Sequence, residues 1–379
     1  MAGVPGGGSG WRVTGTIADA ARPRVPAGEP AAPGRDERGS AGAGRERPRA
    51  PVSAIGARRP AVRPFARSRH PFPKGFPVRF AVTITALFAA LLLAAPGCAA
   101  PSPPRVSRVL VVSVDGLRPD VLLRAHAPVL RSLMERGSFT MWAATTDVAI
   151  TLPSHVSMLT GVTPARHGVA WNGDFPSGVP AYPKRPTLFD LAKRSGLTTA
   201  MIAGKSKFAA LARPGSLDRW YAPGQGNVAD QAVADTAVRW IGAYAPQVLF
   251  VHLPDGDRVG HAQGWGSPEH ERTVASSDRQ LGRVLQALAM RHVLDSTVVI
   301  VSADHGGAGR SHGAGDVRSL MIPWIVCGPG IRRGFDLTLV PARSVRTEDT
   351  FATACAVLGL ALPDSLDGSP VYEAFESDH

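Results

Sequence analysis

From residue 105 onward, short apolar runs alternate with amphipathic stretches along the chain. Five runs rich in Val, Ile and Leu have the length and composition of strands buried on both faces. They are 109–114, 198–203, 247–253, 297–302 and 321–327. Helical periodicity predicts helices at 127–136, 188–195, 228–244, 276–292 and 350–360. This alternation predicts an α/β fold in which helices flank a central, mainly parallel sheet, formed by one domain at 105–379.

The first 79 residues lack this pattern and carry most of the net charge. They contain 15 of the 42 basic residues and 5 of the 30 acidic ones, so their net charge is +10 and that of the remainder is +2. A nucleic-acid-binding domain needs a basic face on its folded part, so no nucleic-acid partner is expected. Residues 1–73 are rich in Pro, Arg, Gly and Ala and are predicted to be disordered. Alternatively they are not translated, with synthesis starting near Val78.

Residues 74–104 have the pattern of an export signal followed by a linker. Lys74 and Arg79 precede an apolar run from Phe80 to Ala95, which is shorter than the roughly 20 residues of a membrane-spanning helix. Pro96-Gly97-Cys98 then resembles a bacterial lipoprotein signal, in which Cys98 would be lipidated. Cleavage after Ala100 and an uncleaved anchor are the alternatives. Each predicts an exported protein, in the periplasm or cell envelope, with a membrane contact through this segment.

Carboxylates and imidazoles follow the predicted strands. These residues are Asp115, Asp257, His261, Asp304, His305 and His312. In open α/β sheets, ligands bind beyond the carboxyl ends of the strands, so these side chains are expected to share one edge. Carboxylates mixed with imidazoles suit zinc. Any one of these residues alone would be an ordinary turn or loop residue.

The order of the short motifs carries a family resemblance. The segments VVSVDGLRPD, TLPSHVSMLTGVTPARHGV, DRVGH, SADHGG and HGAGDVRSLMIPWIVCGPG occur in this sequence. In this order they resemble the alkaline phosphatase superfamily, and within it the nucleotide pyrophosphatase/phosphodiesterase (type I phosphodiesterase) group. The resemblance covers 105–375 and implies an alkaline-phosphatase-like sandwich.

The resemblance also implies a two-zinc site, although other divalent metals are possible. One zinc would be held by Asp115, Thr151, Asp304 and His305, and the other by Asp257, His261 and His312. Thr151 would be the nucleophile and form a phosphothreonine intermediate, while Asn172 would hold a phosphoryl oxygen. The implied activity is an exported phosphodiesterase or nucleotide pyrophosphatase acting on a small phosphoester. The alternatives are a phosphomonoesterase or phosphonate hydrolase on the same site, and a non-catalytic binding lipoprotein.

Three departures from the group put nucleotide specificity in doubt. Leu152 stands where an aromatic residue usually follows the nucleophile, and Ser154 stands where asparagine is usual. Only five residues separate Gly306 from His312, where the group usually has a long segment. A formylglycine sulfatase is disfavoured, because Thr151 and His155 replace the Cys and Arg of the sulfatase motif.

Gly204-Lys205 resembles the Gly-Lys of sulfatases, whose lysine touches the substrate anion. Lys205 is therefore a candidate substrate-binding residue that would favour a monoester, whereas Lys207 is predicted to be solvated. The remaining histidines considered do not have the sequence spacing of metal ligands, and they are predicted to be structural or exposed. They are His155, His167, His252, His270 and His292. Cys327 and Cys355 lie in apolar contexts and are predicted to be buried, with a bridge between them left open.

Overall fold

A computed structural model describes residues 106–175, 178–341 and 343–376, and these contain one eight-stranded sheet. The strand order is β4-β3-β5-β1-β6-β7-β2-β8. The strands are β1 (Arg108–Val114), β2 (Gly137–Ala144), β3 (Thr199–Ala203), β4 (Arg219–Tyr221), β5 (Val248–Leu253), β6 (Thr297–Ser302), β7 (Met321–Cys327) and β8 (Phe335–Asp336).

The centre of the sheet is parallel. Strand β1 pairs in parallel with β5 and β6, and β3 pairs in parallel with β4 and β5. Strand β7 runs antiparallel to both β6 and β2. The carboxyl ends of β3, β5, β1 and β6 therefore meet at one edge. Strands β3, β5 and β6 are buried at every position, as expected for strands covered on both faces.

Ten α-helices pack around the sheet in the described ranges. They are α1 (Pro119–Arg124), α2 (Pro128–Arg136), α3 (Thr151–Thr160), α4 (Pro164–His167), α5 (Leu188–Arg194), α6 (Asp230–Tyr244), α7 (Asp255–Gln263), α8 (Pro268–Met290), α9 (Val317–Leu320) and α10 (Asp349–Leu358). Helices α1, α2, α6 and α7 contact α8, and helices α3 and α5 contact α10. Two helical groups thus enclose the central strands and complete the sandwich.

The predicted α/β architecture and the five apolar strands are confirmed. The predicted helix at 276–292 begins eight residues earlier, at Pro268. Its first turns are polar and lack the apolar periodicity, but Ser267 caps them by accepting a hydrogen bond from the His270 N–H. Helices α3 and α7 and strand β2 also form where the apolar pattern does not predict them.

The predictions for residues 1–73, residues 74–104 and Cys98 lie outside the described residues. Among the residues that the structure does describe, no helix combines the length and apolarity needed to cross a membrane. Cys327 and Cys355 are both buried, as predicted, and both thiols are free.

Candidate active site

Three acidic side chains converge at the carboxyl edge of the central strands. Asp115 follows β1, Asp304 lies two residues after β6, and Asp257 lies in the first turn of α7, the helix after β5. Asp115 and Asp304 are fully buried and Asp257 is 5% exposed. Burial of several carboxylates is costly unless cations or hydrogen bonds compensate them. The cluster therefore requires positive charge.

Helix α3 places a hydroxyl above this cluster. Thr151 is the first residue of α3, and its Oγ1 lies 3.4 Å from His305 Nε2 and 3.4 Å from Lys205 Nζ. Every residue of α3 is buried, so the position of this hydroxyl is fixed by packing on all sides of the helix. The predicted nucleophile thus faces the predicted ligands.

Three imidazoles direct their Nε2 atoms toward the carboxylates, and their Nδ1 atoms face backbone carbonyls. The Nδ1 atoms of His305, His261 and His312 lie 2.8, 3.0 and 2.8 Å from the carbonyl oxygens of Gly306, Arg310 and Ala149, respectively. Because a carbonyl only accepts hydrogen bonds, each Nδ1 carries a proton. In the neutral form of each ring, Nε2 then has the lone pair that can bind a metal, an arrangement typical of metal-binding histidines.

Two groups of residues could each hold a metal ion, because the ligand atoms within each group lie within 4.8 Å of one another. The first group is Asp257, His261 and His312. The second is Asp115, Asp257 and His305, so the groups share Asp257. The first is the set predicted for one metal. The second contains Asp257 where Asp304 was predicted, although Asp304 Oδ2 lies only 3.2 Å from His305 Nε2. Asp257 is therefore within reach of both positions.

The buried carboxylates also have oxygens without partners. Asp115 Oδ1, Asp257 Oδ1 and Asp304 Oδ2 are buried and accept no hydrogen bond. Buried polar atoms are normally paired, so three orphaned acceptors in one cluster need an explanation. With three Nε2 lone pairs beside them, they fit a divalent cation better than a structural ion pair.

Lys205 supplies one positive charge within the cluster. Its Nζ lies 2.6 Å from Asp115 Oδ2 and 2.6 Å from Asp257 Oδ2, and the residue is 3% exposed. Burial alone would lower the pKa of this lysine, but the two aspartates raise it, so the ammonium stays charged. Lys205 thus lies beside the predicted nucleophile, and its contact with a substrate stays a prediction.

The pKa values of the acids reflect this crowding. Burial, followed by the charge of Asp115, raises the pKa of Asp304 well above its usual value. Burial opposes ionisation of Asp115, yet Lys205 and His252 hold its pKa well below the usual range. Burial lowers the pKa of His305 to about 4, which keeps its ring neutral and able to act as a ligand.

Asn172 lies against the first turn of α3, next to the nucleophile. Its Oδ1 accepts the Leu152 N–H at 2.9 Å, which leaves its amide NH₂ as the free donor for a phosphoryl oxygen. Lys207 Nζ donates to the same Oδ1 at 3.1 Å. Lys207, which was predicted to be solvated, is half-buried and makes this contact with Asn172.

Two buried histidines form hydrogen bonds with residues of the cluster or with the strands that carry them. His252 Nε2 lies 2.9 Å from Asp115 Oδ2, and His252 Nδ1 accepts a hydrogen bond from the Gly204 N–H. His155 contacts the Thr151 carbonyl and Ser113 Oγ. Both were predicted to be structural or exposed, and both are fully buried with protein partners, as the structural alternative predicted. The position of His252 inside β5, whose neighbour β1 ends at Asp115, was the only sequence feature that could have indicated its role.

A family model matches about half of this chain. The model described as type I phosphodiesterase/nucleotide pyrophosphatase matches residues 109–313. The chain belongs to this family. It is therefore a member of the alkaline phosphatase superfamily, as the motifs predicted.

Several curated relatives resemble the chain at low identity. A pyrophosphatase/phosphodiesterase of Schizosaccharomyces pombe, described as uncharacterised, is 29% identical over 223 residues, which are 53% of this chain and 45% of the relative. Human ectonucleotide pyrophosphatase/phosphodiesterase family member 7 is 26% identical over 257 residues, 62% of this chain and 56% of the relative. A mouse bis(5'-adenosyl)-triphosphatase is 26% identical over 216 residues, 53% of this chain and 47% of the relative. The chain thus spans about half the length of these relatives.

Solved structures show the same fold. Murine ectonucleotide pyrophosphatase/phosphodiesterase 5 matches with a TM-score of 0.60 at 16% identity, covering 71% of this chain and 100% of that one. A 2-O GAG sulfatase matches with a TM-score of 0.57 at 17% identity, covering 72% and 74%. The alkaline-phosphatase-like sandwich is therefore confirmed.

Proposed function

We propose that this member of the family is an exported, two-zinc phosphodiesterase or nucleotide pyrophosphatase that uses Thr151 as its nucleophile. The observation that carries the proposal is the convergence, beside one hydroxyl, of three orphaned carboxylate oxygens and three imidazole Nε2 atoms. A non-catalytic binding lipoprotein would have no need for a buried hydroxyl directed at such a cluster.

The residues present fit two divalent ions. Asp257, His261 and His312 would hold one, and Asp115, Asp304, His305 and Thr151 the other, with Asp257 close to both. When bound, such ions lower the pKa of a nucleophile and neutralise charge on phosphoryl oxygens. Mixed carboxylate and imidazole side chains would favour zinc, although other divalent metals are compatible with the same residues.

Three side chains of this protein would then have separate roles in the reaction. Thr151 Oγ1 loses its proton to solvent and attacks phosphorus to form a phosphothreonine, while the bond to the leaving oxygen breaks and that oxygen keeps the bonding electron pair. The Asn172 amide donates to an equatorial phosphoryl oxygen, and the Lys205 ammonium, 3.4 Å from Thr151 Oγ1, stabilises negative charge beside the nucleophile. Hydrolysis of the phosphothreonine by water regenerates the hydroxyl.

The proposed location rests on the residues before the domain. The charged and apolar segment at 74–104 would direct export to the periplasm or cell envelope, with Cys98 as the site of a lipid anchor. The small-molecule phosphoester would then be encountered outside the cytoplasm.

A second candidate function is favoured by the lysines. Lys205 and Lys207 both lie at the Thr151–Asn172 face of the site, where Lys205 Nζ donates to Thr151 Oγ1 and Lys207 Nζ donates to Asn172 Oδ1. A terminal phosphoryl or phosphonyl group carries more negative charge than a diester, so two ammonium groups suit a phosphomonoester or phosphonate. The same metal ligands and nucleophile would serve this reaction.

The test compares substrates that share one leaving group. Zinc-loaded protein is assayed on bis-p-nitrophenyl phosphate and p-nitrophenyl phosphate, together with Thr151→Ala and Thr151→Ser. We expect Thr151→Ala to lose about 10³-fold or more in kcat with most of its zinc content retained, because it lacks the attacking oxygen. Thr151→Ser keeps that oxygen and should retain measurable turnover.

Each outcome selects a function. A diester preference supports the phosphodiesterase, whereas a monoester preference that Lys205→Met reverses supports the second candidate. Full activity of Thr151→Ala would exclude Thr151 as the nucleophile. Zinc binding without turnover of either compound would favour a binding role.

A further inference from the structure

Trp265 lies in the segment that joins α7 to α8, and the reaction described above gives it no role. It is 6% exposed, yet it does not belong to the hydrophobic core of the domain. Gly264 and Gly266 on either side of it have φ values of 95° and 81°, so the chain turns sharply before and after the indole. The indole is therefore buried by contacts other than those of the core.

Two hydrogen bonds connect Trp265 to loops that carry predicted ligands. Its Nε1 donates to the Gly116 carbonyl at 2.9 Å, and Gly116 directly follows Asp115. Its backbone N–H donates to the Gly309 carbonyl at 2.7 Å, in the loop that follows β6. These bonds tie the segment after α7 to the segments after β1 and β6.

Two glycines hold the indole between them. A Cβ at Gly260 would lie 2.5 Å from Trp265 Cε2, and one at Gly307 would lie 2.3 Å from Trp265 Cδ2. Both positions lie over the bond that the two rings share, which places the glycines on opposite faces of the indole. Gly260 directly precedes His261, and Gly307 follows His305 by two residues. The indole thus packs directly on the backbone beside two predicted ligands.

Two predicted ligands also pack edge-on against Trp265. The ring centroid of His261 lies 4.9 Å from that of Trp265 at an interplanar angle of 82°, and the corresponding values for His312 are 5.7 Å and 68°. The Nδ1 atoms of both imidazoles donate to backbone carbonyls, as described above. The hydrogen bond and the indole together restrict rotation of each imidazole, and so they fix the direction of its Nε2 atom.

We propose that Trp265 is a positioning residue that fixes the imidazoles of His261 and His312 as metal ligands. The inference rests on the proposed function for the presence of the two metals. Through Nε1, the same side chain holds the turn after Asp115 at a constant distance from these imidazoles. One residue that binds neither metal nor substrate would therefore set the geometry of both metal positions.

The experiment measures metal affinity and ligand geometry, so it does not depend on turnover. The full-length protein is treated with a chelator and then titrated with Zn²⁺ against a chromogenic competitor. A second titration uses Co²⁺, whose visible absorption reports the geometry of its ligands. The variants are Trp265→Phe, which keeps an aromatic ring but loses the N–H, and Trp265→Ala.

Trp324→Phe is the matched control. Trp324 is fully buried and donates its Nε1 proton to Thr350 Oγ1 at 3.0 Å, so this variant also loses a buried indole and its hydrogen bond. Trp324 lies in β7 and belongs to the hydrophobic core. The control therefore separates a loss of stability from a loss of ligand positioning.

We expect Trp265→Phe to weaken the binding of one zinc about tenfold and Trp265→Ala about 100-fold, the range typical when a group that orients metal ligands is removed. Both variants should have an altered Co²⁺ spectrum. Trp324→Phe should lower the free energy of unfolding but keep the native spectrum and the native zinc affinity. If Trp265→Ala fails to fold, Trp265→Phe keeps most of the volume and should still show both effects.

A double variant tests whether the effect passes through the imidazoles. His312→Ala removes one of the two rings that Trp265 contacts. In this background Trp265→Phe should weaken zinc binding further by less than about threefold, because effects that act through one contact do not add. A further loss of the full tenfold would contradict the proposal.

Native zinc affinity and a native Co²⁺ spectrum in both Trp265 variants would overturn the proposal. Equal changes in Trp324→Phe, or the absence of metal binding by the native protein, would do the same. Metal binding without hydrolysis of either nitrophenyl ester would contradict the proposed function but support the role of Trp265 if its variants still alter affinity and spectrum. The two failures are therefore distinguishable.

Discussion

At the scale of single residues, His252 shows how a side chain that touches no substrate can determine the site. The Gly204 N–H donates to its Nδ1, so the neutral ring carries its proton on Nε2 and donates it to Asp115 Oδ2. Burial lowers the pKa of His252, which favours this neutral form, although Asp115 opposes the shift. The other oxygen of Asp115 is left facing the predicted metal position.

We predict that His252→Leu weakens zinc binding about 10- to 100-fold, because the carboxylate loses the donor that orients it. His252→Gln should restore much of the affinity, since the glutamine amide NH₂ can occupy the place of Nε2. Affinity is measured by competition with a chromogenic chelator. His292→Gln, at an exposed histidine, is the control. Equal zinc affinity of His252→Leu and the native protein would show that this contact does not orient Asp115.

At the scale of elements, helix α3 positions the nucleophile by being enclosed on every side. Its sequence is apolar or small over most of its length, and all ten residues are buried. It ends at Gly161, whose φ of 71° lies in the left-handed region that favours glycine. A Cβ at Gly161 would lie 2.6 Å from Phe351 Cδ1 of α10, so the helix end is also closely packed.

We predict that Gly161→Ala destabilises the protein by about 2–4 kcal/mol, combining the strain of a positive φ with overpacking against Phe351. Gly196→Ala is the matched control, because Gly196 also has a positive φ of 76° but no atom within 4 Å of an added Cβ. It should cost about 1 kcal/mol. The two free energies of unfolding are compared by urea denaturation. Similar losses for both variants would mean that the contact with Phe351 contributes little.

At the scale of the whole molecule, the sheet gathers more buried carboxyl groups than buried cationic side chains at one edge. Asp115, Asp257 and Asp304 face a single buried lysine, Lys205. Hydrophobic burial in the sandwich must therefore offset the electrostatic cost of the site. A bound divalent ion would remove much of this cost and would link metal binding to the stability of the fold.

We predict that zinc at 100 times its dissociation constant stabilises the protein by about 2.7 kcal/mol per site, by mass action on the folded state. A chelator should lower the Tm correspondingly. Thermal unfolding is followed with and without each addition. Asp257→Asn should lose most of the zinc effect, since Asp257 belongs to both ligand groups. An unchanged Tm in zinc and in chelator would contradict a metal site in the folded protein.

Much of this arrangement could be predicted before the structure was known. The valine-rich strand ending at Asp115 and the corresponding strands before Asp257 and Asp304 indicate the sheet and the edge where ligands lie. Strands buried on both faces leave a strong apolar pattern, and the motifs at their ends are local in sequence. Helices with polar first turns, such as α8, and short strands such as β4 leave a weaker pattern, so their boundaries or existence were missed.

The sequence by itself determined the fold class, the ordered motifs and the residue types at the site, because these depend on periodicity and on chemistry carried by single residues. The tertiary structure decided which atoms face one another. It placed Lys205 between two aspartates, Lys207 against Asn172, His252 beneath Asp115, and Trp265 against Gly116 and Gly307. These relations join residues far apart in the chain or on different strands. They arise only when β1, β3, β5 and β6 align their ends at one edge.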